Sequence, residues 1–229
     1  MNLYVYGDSH TAGAEAVNPH AFAEDDPNLG YLGRIPHPDN LAVSWGKQLG
    51  NTLKMGFHCD AESASSNDRI IRTTKQYLEN HKDVFVIIQW STWEREEWLI
   101  DDTYYQINAS GIDIVPQSHQ QKYKEYVASV DWNQKTNEAH EKIIDFHHYL
   151  KQKEIKHIFF NGNNNFSKIK QQYPFGEYYI NPYGNFSYSN YLLNEGIQTV
   201  LPGSYHFGVD GHTKWAKFML KYIVNNNLL

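Results

Sequence analysis

A serine and a histidine, the two side chains that together make a nucleophile, stand near opposite ends of this 229-residue chain in settings that suit catalysis. Ser9 follows the apolar run Leu3-Tyr4-Val5-Tyr6 and the turn residues Gly7-Asp8, and Thr11-Ala12-Gly13 come soon after it. A serine placed where a buried strand stops points its hydroxyl into a cleft. If the next segment turns helical, its own N–H helps bind an oxyanion. The hydroxyl is a weak nucleophile until a base takes its proton. Residues 205–212 read Tyr-His-Phe-Gly-Val-Asp-Gly-His, with His206 in a loop and His212 in the first turn of the final helix. A helix N-terminus disfavours imidazolium, so His206 is the candidate base and His212 caps or packs the helix start. Asp210 either turns back to orient His206 or caps that helix. Each motif also has a bland reading, Asp8 and Ser9 as turn caps and the histidine segment as plain loop. Their order, at the first strand and before the last helix of one α/β pattern, favours the enzyme.

The elements that must position these residues follow from periodicity. The apolar stretches 3–6, 54–58, 84–88 and 155–160 read as strands, the third an uninterrupted run suited to a sheet buried on both faces. Residues 44–53 read as a short helix. Ile70, Thr74, Tyr77 and Leu78 follow a helical period capped by Ser66 or Asn67. The stretch 120–153 reads as helix in two pieces that meet near Trp132-Asn133, and Trp215, Phe218, Met219, Tyr222 and Ile223 form a closing helical stripe. Residues 14–40 read as a long loop, functional at that length. A β-hairpin insertion is expected near 101–116, turning at Ser110-Gly111. Strands alternating with helices give a parallel sheet covered on both sides, one domain over 1–229, with the working residues at the strands' carboxyl ends. Segments 7–9, 89–95 and 161–165 fall at those ends.

Composition narrows the function. A formal charge of −6 without a basic run gives no electrostatic reason to bind nucleic acid. Cys59 is the only cysteine, which rules out an intrachain disulfide and a cysteine-rich zinc site. No apolar run approaches the ~20 residues of a membrane span, and the opening residues read as strand rather than signal peptide, so a cytoplasmic or virion-associated protein is expected. His140 and His147 lie two helical turns apart, roughly 10 Å by helix rise, too far to share one metal ion; no metal or cofactor is expected. Trp93, Arg95 and Trp98 form either a substrate wall or the start of a surface helix. The aromatic stretch 173–191 either grips a sugar or pads the sheet edge.

Gly7-Asp8-Ser9-His10-Thr11-Ala12-Gly13 resembles block I of the SGNH (GDSL-type) hydrolases, and the segment from His206 to His212 resembles their block V. Residues 62–70 resemble block II, with Ala64 at the position of the glycine whose N–H donates to the oxyanion. Residues 86–93 fall where block III belongs, with Trp93 nearest its asparagine, and Gly203 occupies the aspartate position of block V. The likeness is greatest to divergent members carried by bacteriophages and marine bacteria. It implies a three-layer α/β/α fold with a mainly parallel, flavodoxin-like sheet. It also implies an ester hydrolase with Ser9 as nucleophile, His206 as base, Ser9 and Ala64 as oxyanion donors, and Asn67, Thr92 or Arg95 touching substrate. The expected substrate is a small ester, an O-acetyl or other short acyl group on a carbohydrate. The two missing side chains matter, since an oxyanion donor is worth ~3–4 kcal/mol and an orienting acid about 10⁴ in kcat. They keep open a second reading, a catalytically silent glycan-binding or virion structural module.

Overall fold

A computed structural model of the chain describes residues 1–21, 35–109 and 115–229. Four strands form its central sheet: β1 (Asn2–Tyr6), β2 (Gly56–Cys59), β3 (Val84–Trp90) and β6 (Lys156–Asn161). Their order is β2-β1-β3-β6 and every pairing is parallel. The alternation of side chains along a strand divides the core into two layers. Tyr4, Tyr6, Val86, Ile88 and Trp90 face α4 (Asn67–Asn80) and α6 (Trp132–Gln152). Leu3, Val5, Phe85, Ile87, Ile158 and Phe160 face α3 (Trp45–Leu53) and α8 (Val209–Asn225). All seven residues of β3 are buried, which explains its unbroken apolar run.

Helix starts follow the expected chemistry. Ser66 Oγ accepts the Arg69 N–H at the head of α4, and Ser44 Oγ accepts the Lys47 N–H at the head of α3. The stretch 120–153 divides into α5 (Gln120–Ser129) and α6, with Asp131 capping the second piece through the Asn133 and Gln134 N–H groups. Between residues 14 and 40 the described part holds the start of a further short helix, α2 (Pro38–Val43), besides loop. The strand order reverses at β1, between its neighbours β2 and β3, and α1 (Ser9–Ala12) leaves the sheet there. Open parallel sheets bind ligands at such a switch point.

The hairpin lies earlier than expected. It comprises β4 (Glu96–Ile100) and β5 (Thr103–Ile107), with Asp101 and Asp102 at φ 47° and 61° in the turn. Positive φ at both central residues is the tight hairpin geometry that aspartate tolerates without glycine. Ser110-Gly111 lies outside the described residues. The same strand corrects the surface-helix reading around Trp98, whose ring packs with Ile100, Ile107 and Tyr123. A network fastens the hairpin to α4: Arg72 donates to both Glu97 carboxylate oxygens at 2.7 Å, and Arg69 reaches Glu97 at 3.2 Å. The aromatic stretch pads the sheet, because Phe175, Tyr179 and Tyr188 are buried and Tyr179 bridges to Phe159 beside β6. Among the described residues no helix is long and apolar enough to cross a membrane.

Candidate active site

Ser9 opens the four-residue helix α1, half-buried at the carboxyl end of β1. Two glycines make this turn possible. A Cβ on Gly7 would lie 2.8 Å from Gln89 Cβ, so only glycine lets β1 and β3 approach here. Gly13 takes φ 76°, and a Cβ there would meet the Asn40 carbonyl oxygen at 2.6 Å. Asp8 caps α1 by accepting the His10 N–H at 3.1 Å. Its buried carboxylate also accepts from Gln89 Nε2 (2.7 Å), Ser91 Oγ (3.0 Å) and Arg95 Nη1 (3.1 Å). Burial opposes ionisation of Asp8, yet the His10 ring once protonated, the Arg95 guanidinium and the Gln89 hydrogen bond hold its carboxyl below the usual value. Gln89 also accepts from Thr11 Oγ1 at 2.7 Å, so one amide ties both sides of the turn to β3.

His206 comes to the same rim. Its ring lies 5.4 Å, centroid to centroid, from that of His10, the residue after Ser9. Its Nδ1 is 2.9 Å from Glu15 Oε2, and that oxygen also accepts from Ser204 Oγ at 2.8 Å. Ser204 in turn accepts the His206 N–H at 3.0 Å, which closes a small ring of contacts around the imidazole. Burial raises the Glu15 carboxyl, but hydrogen bonds from His206 and Ser204 outweigh it and leave the group below its usual value. A charged partner on Nδ1 fixes the proton there and leaves Nε2 as the basic nitrogen. Neither Ser9 Oγ nor His206 Nε2 makes a hydrogen bond among the described residues. Glu15 itself sits at φ 64°, a left-handed conformation that aims its side chain back toward 204–206.

Asp210 does not reach His206, because its Oδ1 accepts the Gly211 N–H at 2.9 Å at the start of α8. The carboxylate on the histidine is Glu15, which no sequence spacing singled out; the only signal was an acid just past the turn at Gly13. Gly203 takes φ 85° in an exposed turn. His212 is buried with Nδ1 accepting the Trp45 N–H at 3.2 Å, and burial pushes its ring down to about 3. It packs the helix start, as its position suggested.

Ala64 has φ 64°, in the left-handed region where glycine is usual. The neighbouring Glu62 N–H donates to the Gly7 carbonyl at 3.4 Å, so this loop abuts the Ser9 turn. Asn67, Thr92 and Arg95, the expected substrate contacts, each hydrogen-bond other residues of the chain. Asn67 Oδ1 accepts the Ser91 N–H at 2.9 Å and its Nδ2 donates to the Ser91 carbonyl. Thr92 Oγ1 donates to Glu94 at 2.9 Å, and Arg95 Nη1 turns inward to Asp8 and to Ser91 Oγ at 2.7 Å. Trp93 is buried and stacks on Phe166 with centroids 4.7 Å apart.

Two further residues complete the rim. His10 is buried between Tyr188 and His206, and burial pushes its ring down to about 4, so it is neutral near pH 7. Its Nε2 accepts from Asn163 Nδ2 at 3.2 Å, just past the end of β6. Beyond Asn163 a cleft of about 380 Å³ opens between the β3 loop, the β6 loop and the start of α6.

No family model matches the chain, and no curated protein matches its sequence. Comparison with solved structures gives the following similarities. A member of the lipolytic G-D-S-L protein family from Veillonella parvula aligns over 96% of this chain and 97% of its own, at 11% identity and a TM-score of 0.50. An acetyl xylan esterase from the rumen bacterium Butyrivibrio proteoclasticus aligns over 98% of this chain at 14% identity and a TM-score of 0.49. The chain spans 64% of the length of that esterase. An acetyl-xylooligosaccharide esterase from Geobacillus aligns over 97% of this chain and 93% of its own, at 13% identity and a TM-score of 0.46. The parallel sheet between helical layers is an SGNH hydrolase-like fold.

Proposed function

We propose that this chain is a serine esterase of the SGNH type. Ser9 Oγ attacks the ester carbonyl while His206 Nε2 takes its proton. The carbonyl π electrons move onto oxygen, and the Ser9 and Ala64 N–H groups hold the resulting oxyanion. When the tetrahedral adduct collapses, the C–O bond to the alcohol breaks and His206 returns the proton to the departing alkoxide. Water, deprotonated by the same imidazole, then cleaves the Ser9 acyl-enzyme, and Ser9 recovers its proton. Glu15 holds the ring in the tautomer that leaves Nε2 basic and stabilises the imidazolium formed at each transfer. The observation that carries this reading is the 2.9 Å contact of Glu15 with His206 Nδ1, at the rim where Ser9 opens α1.

The substrate class proposed is a short acyl ester, most simply an O-acetyl group, on a carbohydrate. The test is release of 4-nitrophenol from 4-nitrophenyl acetate by the purified protein. Ser9→Ala is expected to lower kcat by at least about 10³-fold. Equal rates for parent and variant would remove Ser9 from the reaction. One observation favours the silent-module reading: Trp93, at the place of the third oxyanion donor, is buried on Phe166. That reading predicts no turnover by the parent protein at any pH.

A further inference from the structure

The cleft beyond Asn163 is lined by amide side chains and indoles. Asn133, Asn137, Asn163 and Asn165 border it together with Trp93 and Trp132. It shares Asn133 and Asn137 with a second cavity of about 750 Å³ that continues along α6 to Tyr173. Together they form a groove far longer than an acetyl group requires. Its chemistry suits one kind of chain. Each amide both donates and accepts, as paired sugar hydroxyls do. Trp132, at the first position of α6, is 51% exposed and offers a flat apolar surface for the C–H face of a sugar ring. Its lining mixes polar and apolar surface in nearly equal measure, as the hydroxyls and C–H faces of a sugar chain do, and Glu141 shares it with Lys168 and Lys170.

The geometry points to an oligosaccharide-binding groove running from Asn163 along α6, which holds the carbohydrate part of the substrate while its ester is presented to Ser9. The assignment deepens the esterase reading and rests on it for the role of the bound sugar, though not for binding itself. Asn163 is the joint between the two, since it borders the groove and hydrogen-bonds His10, the neighbour of Ser9.

The test uses the full chain carrying Ser9→Ala, with xylohexaose, cellohexaose and chitohexaose as separate probes. Saturable binding of at least one is expected, by calorimetry and by shifts of indole N–H resonances. Adding Trp132→Ala weakens it about tenfold or more, as loss of a stacking face should, whereas Trp132→Phe recovers part of it. With Ser9 restored, Trp132→Ala raises KM for the O-acetylated form of the bound oligosaccharide and leaves the rate on 4-nitrophenyl acetate within about twofold. Absence of binding by all three probes, or binding indifferent to Trp132, overturns the groove even if the small ester is hydrolysed through Ser9. Binding that depends on Trp132 in a protein without esterase activity upholds the groove and rejects the esterase reading.

Discussion

A carboxylate on Nδ1 of a histidine does two separable things: it fixes the ring's tautomer and it lowers the energy of the charged ring during proton transfer. Glu15→Gln keeps a side chain of the same size beside His206 but removes the charge, and its amide can place a donor where Nδ1–H needs an acceptor. We expect kcat on 4-nitrophenyl acetate to fall roughly 10²- to 10⁴-fold. A merely structural role would lower the urea midpoint and leave kcat of the folded protein unchanged. Glu15→Asp, which retains the charge, should recover part of the rate. Ser9 and His206 stand out in the sequence as candidates because each sits in a local context with its own chemistry, a strand end and a loop before a helix. Glu15 does not, since its meeting with His206 depends on a left-handed residue and on a turn at 203–204, neither of which leaves a periodic trace. Arg95 stands just past a strand end and Asn67 at a helix start, but sequence does not say that their polar atoms are taken up by Asp8 and Ser91.

The turn from β1 into α1 is the element on which the site depends. Gly13 ends α1 by donating its N–H to the Ser9 carbonyl, and the chain then doubles back past Asn40 to place Glu15. Gly13→Ala forces a Cβ against the Asn40 carbonyl at a positive φ, a strain of about 1–3 kcal/mol. Urea unfolding should show a loss of that size, and kcat should fall with it because Ser9 and Glu15 flank the strained residue. A variant with unchanged stability and rate would mean that the turn does not hold the site. The helices and the buried strands were legible because their apolar periods answer directly to the two core layers. The hairpin was placed late because Asp101-Asp102 forms a tight turn without the glycine that usually announces one.

Across the whole molecule several histidines are packed as neutral groups. Burial pushes His10, His147 and His157 down to about 4 and His212 to about 3. In the unfolded chain the same rings take up protons near about 6.5. Between about pH 6.5 and 4 the unfolded chain therefore binds more protons, and stability falls as pH falls. Asp8 and Glu15, held low by their partners, add to the loss only below the ordinary carboxylate range. His58, raised by its hydrogen bond to Asp60, acts in the opposite sense at one half-exposed position. The urea midpoint should accordingly be lower at about pH 5 than at about pH 7.5; an equal or higher midpoint at the acid pH would contradict the neutral packing of these rings. The layered α/β architecture was readable from strand and helix alternation. The chemistry at its rim was readable only in part, because it is assembled from loops that meet across the sheet.

The most direct measurement is covalent capture of the nucleophile. A fluorophosphonate probe added to the purified chain, followed by intact mass and peptide mapping, should give one adduct on Ser9. The adduct should be absent in Ser9→Ala and form at least about tenfold more slowly in His206→Ala. A chain that stays unlabelled under conditions that label a known serine esterase, or that carries the adduct at another residue, would contradict the account.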